Sequence, residues 1–397
     1  MAVVSKELFY EHITSETPCS VLHLWSSSCM DGISFVAVNV LVGAIKFFGP
    51  IYVLRLLLSW KKISPKYLLT HALAYARAVT YGLTFSILFF GGLCVLCNIN
   101  GFKYYNNPKI AGAVSGLSVL VESQDNKTFN SLIFFNQTVE SFVNFLTYST
   151  DKKRSPIGET LVFMLISSTL MYLFKTQPNS IPFLHLWFYP TGSLSEQEPS
   201  QANCTHKKSC FEYGYKGAFK FFCVGYVLEL IKNMLPRTGR VFSQPKMLSQ
   251  MLLSRKNVLF GLFFGSYVLL YRHIGCYLRK KDGGEFPIHS VVAGLLAGST
   301  YYLKPNRQIP IIGFTTILQL LWQRILFKYN LPKIPYDLLV FMISNGILMH
   351  FRFLLDDYCP KYTLNMLNIT TSNLAQHIHD RMSCLMNHTE KEYNIVV

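Results

Sequence analysis

The sequence predicts an all-α, multi-pass integral membrane protein made of two tandem homologous helical bundles, about four spans each, with further helices lying at the interface. Three observations predict it. First, the chain repeats itself: GAIKFFGPIYVLR from Gly43 returns as GAFKFFCVGYVLE from Gly217, and LVFM at Leu161 to Met164 returns at Leu339 to Met342. Second, half the residues are hydrophobic and only 15% are charged, against roughly 25% in soluble domains. Third, Val79 to Cys97 runs 19 residues without a charge, close to the ~20 needed to cross the hydrocarbon.

Matched positions divide the chain into an N-terminal Cys/His segment (1–30), a first membrane repeat (31–175) and a polar linker rich in Pro, Ser and Gln (176–203). A second Cys/His segment and membrane repeat (204–355) and a polar C-terminal tail (356–397) follow. Each repeat reads as five apolar stretches. Stretch one, Val42 to Trp60 and Phe219 to Ile231, carries Lys46, Pro50 and Arg55 in one copy and Lys220 and Glu229 in the other. Charges near the bilayer centre cost at least about 2.5 kcal/mol each, so an interfacial helix is expected there. Stretch two, Val79 to Cys97 and Val258 to Leu278, is the long span. Stretch three, Ile110 to Val121 and Ile288 to Leu303, is short and glycine-rich. Twelve residues make only about 18 Å of helix, less than the ~30 Å core, so this stretch is kinked, extended or enclosed by protein.

Stretch four, Ile309 to Phe327, reads as a span, while its counterpart Asn130 to Tyr148 holds Asn136, Gln137, Glu140 and Asn144, which need partners in a membrane. Stretch five, Thr160 to Phe174 and Leu338 to Phe353, follows a helix-start signal in both copies. The tail segment HIHDRMSCLMNH reads as a solvated amphipathic run. The first twenty residues contain acids and no apolar h-region, unlike a secretory signal or a mitochondrial presequence.

Lys and Arg number 37 against 21 Asp and Glu, a net charge of +16. Much of the excess falls in short connections such as Lys61, Lys62 and Lys66, or Arg279, Lys280 and Lys281. Such loops suit the cytoplasmic face beside anionic lipid headgroups. The expected partners are the bilayer, its anionic headgroups and a second copy of the chain. Nucleic acid is not among them, since no binding module accompanies the charge.

Small residues recur four apart at matching places: Gly82 and Ser86 against Gly261 and Gly265, then Gly112 and Gly116 against Gly294 and Gly298. Each pair clears one helical stripe, for close packing or for a substrate path at the repeat seam. Glu159 and Asp337 open stretch five in the two copies, where an acid caps the helix or flanks a path. Cys19, His23 and Cys29 precede the first repeat, and Cys204, His206 and Cys210 the second. Neither set alone supplies the four ligands of a structural zinc, although the two together do; disulfides and unlinked thiols fit the pattern as well. Cys94 and Cys97 lie in an apolar helix and read as packing. No G-x-S-x-G, Walker loop, H-E-x-x-H or dinucleotide fingerprint occurs, so no enzyme and no resident cofactor are expected.

The segment GLFFGSYVLLYRHIGCYLRKKDGGEFPIHSVVAGLLAGS resembles the glycine-pair, Arg, Asp, glycine-pair signature of the preprotein and amino-acid transporter superfamily of mitochondrial import channels. Gly261, Gly265, Arg279, Asp282, Gly294 and Gly298 carry the match. Over nearly the whole chain, the two Cys/His clusters, KGAFKFFCVGY, FSQPKMLS and VVAGLLAGS, in this order, resemble the transmembrane protein 135 family, also called peroxisomal membrane protein 52. That resemblance implies a multi-pass protein of peroxisomal and mitochondrial membranes, linked to mitochondrial dynamics and lipid handling, with organelle-dynamics proteins as partners and without catalytic residues.

Overall fold

The computed structural model describes residues 19, 23, 26–59, 63–101, 106–149, 155–176, 206, 209–234, 245–329 and 334–392. The described residues are almost wholly helical, without strands. Among the described residues thirteen α-helices follow one another: α1 (Cys29–Leu58), α2 (Pro65–Asn100), α3 (Asn107–Ser115), α4 (Gln124–Ser149), α5 (Pro156–Lys175), α6 (Cys210–Met234), α7 (Pro245–Leu252), α8 (Arg255–Asp282), α9 (Pro287–Gly298), α10 (Gln308–Tyr329), α11 (Tyr336–Leu354), α12 (Lys361–Thr370) and α13 (Leu374–Glu392). Tight 3-10 turns extend α3 over Gly116–Val121 and α9 over Ser299–Leu303.

Local chemistry sets many of the ends. Ser64 accepts a hydrogen bond from the Tyr67 N–H and is followed by Pro65; Ser155 does the same for Gly158 ahead of Pro156. A capping serine followed by proline at the first helical position starts a helix because neither residue wastes a backbone donor. Gly283, at φ +66°, ends α8 in the left-handed conformation that only glycine adopts without strain.

Six of these segments are long and apolar enough to cross a membrane: Cys29–Val53, Pro65–Ile99, Pro156–Lys175, Ser249–Asp282, Gln308–Tyr329 and Tyr336–Leu354. Large side chains such as Leu161, Val162 and Leu165 on α5, or Leu339, Val340 and Ile343 on α11, point outward while Phe163 and Phe341 are fully buried. Apolar residues on both sides of a helix suit a lipid surroundings.

Three expectations change. Stretch one of the first copy is no short interfacial helix. It begins at Cys29, well before Val42, so the apolar run from Ile33 shifts Lys46, Pro50 and Arg55 into its C-terminal half. Six helices among the described residues, where eight spans were expected, are long and apolar enough to cross: stretch three stays short in both copies and α4 is too polar, while α1 is added. The polar tail is not a solvated run: α12 and α13 fold back, burying Leu367, Leu374, Ala375, Ile378 and Met382.

The helices form two compact units, 1–151 with 333–397 and 152–332. The units are not the sequence repeats, because the last helix of each repeat is exchanged. α11, from the second copy, packs in the first unit against α3 and α4, and α5, from the first copy, packs in the second against α9 and α10.

In the first unit a Cβ on Gly112 would stand 2.8 Å from the Met349 side chain, and one on Gly116 2.7 Å from Met342 Cα. In the second unit Gly294 and Gly298 meet Met171 at 3.0 Å and Met164 Cα at 2.8 Å in the same way. Met164 and Met342 end the two copies of LVFM, so the same knobs fill the same slots. The first two helices of each copy also repeat their contact: Gly82 lies on Ala44 and Phe48, and Gly261 and Gly265 lie on Phe222 and Ala218.

Aromatic rings complete both cores. Phe341 meets Phe134 edge-on at 4.9 Å, and its counterpart Phe163 stacks on Tyr301 at 4.7 Å. The polar side of α4 finds partners in the first unit. Thr128 donates to Asp337 Oδ2 at 2.7 Å, Ser131 to the Asp337 carbonyl at 2.8 Å, Thr138 to the Ser344 carbonyl at 3.3 Å, and the Asn144 amide to the Tyr358 carbonyl at 3.2 Å.

Arg352, fully buried on α11, ties down the C-terminal helices: its guanidinium donates to Asp356 at 2.8 Å, Asn368 at 3.1 Å and Gln376 at 2.8 Å. A buried guanidinium is tolerated only with such a set of acceptors.

The seam gives a paired prediction for thermal unfolding in detergent. Gly116→Ala forces a methyl into backbone and costs about 1–3 kcal/mol, whereas Gly275→Ala, with nothing within 4 Å, is neutral or stabilises by up to about 1 kcal/mol through lower chain entropy. Equal effects at the two positions would contradict the close approach.

Candidate functional site

The chemistry-bearing side chains gather at one end of each hairpin. In the first unit, α1 starts where α2 ends. A turn in which the Ser26 N–H donates to the His23 carbonyl and the Ser28 N–H to Ser26 Oγ leads directly into Cys29. Cys94 comes from the last two turns of α2. The ligand atoms of Cys19, His23, Cys29 and Cys94 all lie within 4.8 Å of one another.

His23 Nδ1 sits 2.7 Å from the Ser26 carbonyl, an acceptor only, so Nδ1 carries the proton and Nε2 presents its lone pair. Nε2 lies 3.4 Å from Cys19 Sγ. The ring has room because Gly32 faces it; a Cβ there would touch the imidazole at 3.4 Å. Asn98 donates its amide to Cys29 Sγ at 3.9 Å. Val36, Phe90, Leu93 and Ile378 wall the small pocket that Cys19, His23 and Cys94 also line.

The second unit repeats the arrangement. His206, Cys210 at the start of α6 and Cys276 near the end of α8 place their ligand atoms within 4.8 Å of one another. His206 Nε2 is 3.3 Å from Cys276 Sγ, and the ring stacks on Tyr213 at 4.5 Å. Cys204 lies outside the described residues.

Each cluster recruits a cysteine from its own long helix. Cys94 and Cys276 were missed as site residues because a lone cysteine in an apolar helix looks like packing. At the offset that matches Gly82 with Gly261, the counterpart of Cys276 is Cys97, one helical turn beyond Cys94.

The family-signature charges form the corner between α8 and α9. Arg279 pairs with Glu285, which also holds Lys175 at 2.8 Å. The Phe286 N–H donates to His289 Nδ1, so His289 Nε2 carries a proton and donates it to Asp282 Oδ2 at 2.7 Å. Burial pushes the Glu285 carboxyl up, but the hydrogen bond from Lys175 and the charge of Arg279 outweigh it, and the group titrates below its ordinary value. Beside this corner, buried Arg272 lies 4.1 Å over the Tyr213 ring and donates to the Tyr213 carbonyl at 2.9 Å. Neither Arg272 nor Arg352 stood out in the sequence, since each is one charge in a long apolar segment.

Asp337 accepts from Thr128 in the first unit, and Glu159 stands 3.7 Å from Arg307 in the second. Gly82, Gly112, Gly116, Gly261, Gly265, Gly294 and Gly298 all face helix backbone or side chains at contact distance, so these stripes are occupied by packing. No protein-family model and no solved structure matches the chain.

The corner ion pair makes stability depend on pH. A carboxyl whose folded pKa is depressed stabilises fully above its unfolded pKa and loses that contribution as pH falls through the folded one. Glu285→Gln therefore removes up to about 1 kcal/mol at neutral pH and flattens the acid limb of a pH–stability curve recorded by thermal unfolding. An unchanged acid limb would show that the pair contributes nothing.

Proposed function

We propose that this protein is a non-enzymatic organelle membrane protein that organises peroxisomes and mitochondria and affects lipid metabolism through partner proteins. The observation that carries the reading is the filled seam. Gly112 and Gly116 are closed by Met349 and Met342, and Gly294 and Gly298 by Met171 and Met164, so the glycine stripes build rigid bundles rather than line a path. Close helix approach through small residues stabilises membrane bundles by dispersion and shape. A rigid pair of bundles with basic connections suits a scaffold that holds partners at an anionic membrane face. The whole-chain resemblance to the transmembrane protein 135 family supports the organelle and the link to lipid handling.

The alternative reading is a channel or carrier for a lipid-related or small solute, drawn from the superfamily resemblance at Arg279 and Asp282. In this structure those two residues are engaged in the α8–α9 corner.

Tagged protein at native expression is expected on peroxisomes and mitochondria, and its deletion is expected to change organelle number and shape. Protein found only at the plasma membrane overturns the proposal. Solute-selective flux in vesicles holding the purified protein would replace it with the carrier reading.

A further inference from the structure

We infer that Cys19, His23, Cys29 and Cys94 bind one structural zinc ion that fastens the N-terminal segment to the α1–α2 hairpin. Three of these donors precede or open α1, and the fourth arrives from the far end of a 36-residue helix. Bringing all four within 4.8 Å requires the hairpin to be folded and in register. Ligands on a tetrahedron with zinc–sulfur bonds near 2.3 Å stand about 3.8 Å apart. The widest separation is thus roughly one ångström from closing on a metal, and the Cys19 to His23 contact at 3.4 Å is already within that range.

The donor chemistry selects the metal. Three thiols and one imidazole, without a carboxylate in the set, are soft ligands in a Cys₃His arrangement that suits zinc over magnesium, calcium or manganese. The imidazole is set for the task, because the Ser26 carbonyl takes the Nδ1 proton and leaves the Nε2 lone pair facing the cysteines. An outer hydrogen bond of this kind fixes ring and tautomer in zinc sites. Asn98 donates to Cys29 Sγ at 3.9 Å, a second outer contact on the ligand set. Cys19, His23 and Cys94 are buried and Cys29 is half-buried, so the ligand set is largely shielded from water.

A second, independent observation is the other unit. There His206, Cys210 and Cys276 converge on corresponding elements, although the segment spacing has changed from C-x3-H-x5-C to C-x-H-x3-C. Loops that drift in length while their ligand atoms still converge are under a geometric requirement, and a metal supplies one. Zinc binding releases the thiol protons and couples to folding. Metal at this point holds the residues ahead of α1 against α2.

Full-length protein purified in detergent without chelators tests this by elemental analysis. The wild type is expected to carry zinc, Cys94→Ser to lose one equivalent per chain, and Cys223→Ser, at an exposed cysteine of α6, to lose none. Should Cys94→Ser fail to fold, peptide-resolved alkylation of the wild type decides. Cys19, Cys29 and Cys94 are expected to react with N-ethylmaleimide at least tenfold faster after a zinc chelator than before it, whereas thiols that are merely buried show no dependence on chelator. Zinc-free wild type, full zinc retention in a folded Cys94→Ser variant, chelator-independent alkylation, or a disulfide joining two of the three cysteines would each overturn the inference.

Discussion

At Gly112 and Gly116, and again at Gly294 and Gly298, two helix backbones approach so closely that a methyl group would collide with the facing helix. The other features of each unit follow from that contact. Within lipid there is little hydrophobic drive between helices, so association relies on dispersion at short range and on hydrogen bonds. The glycines supply the short range, and methionine, unbranched and polarizable, fills the slot without demanding one shape. Once α11 is seated on α3, its polar edge is fixed opposite Thr128, Ser131 and Thr138 of α4, and the otherwise expensive polar groups of that helix gain acceptors. Once α5 is seated on α9, Ser167 donates to the Gly294 carbonyl at 2.8 Å and meets the Tyr267 hydroxyl at 2.6 Å.

The two units use the same scaffold and have diverged at its ends. The first adds the C-terminal helices, held by the buried Arg352 through Asp356, Asn368 and Gln376. Phe174, at the corresponding place in the other copy, makes no such demand. The second unit instead invests its charge in the corner of Arg279, Glu285, Lys175, Asp282 and His289. Besides the glycine–methionine contacts, both retain a Cys/His constellation beside the start of the first helix and the end of the second.

Much of this was legible in the residues. The duplication, the all-helical class, the serine–proline helix starts and the glycine pairs are written in local pattern, and each maps onto the fold. The exchange of stretch five was not legible, because stretch five carries LVFM in both copies and either pairing buries the same side chains in the same slots. The start of α1 was obscured by Cys29, Asp31 and Ser34, which look like loop residues although the apolar face of the helix is already present. Leu374, Ile378 and Met382 recur one turn apart, yet the polar residues between them masked a stripe that is buried. Cys94 and Cys276 were not legible as site residues, since their surroundings in sequence are those of ordinary packing residues and the copies align Cys276 with Cys97.

The exchanged helix is the central claim, and chemical crosslinking in native membranes tests it most directly. Thr128 on α4 hydrogen-bonds Asp337 on α11, whose counterpart in the first copy is Glu159. Cysteines placed at 128 and 337 should join rapidly with a short thiol-reactive crosslinker, while cysteines at 128 and 159 should not. Efficient joining of 128 to 159, with none of 128 to 337, would show that each repeat keeps its own last helix and would contradict the account.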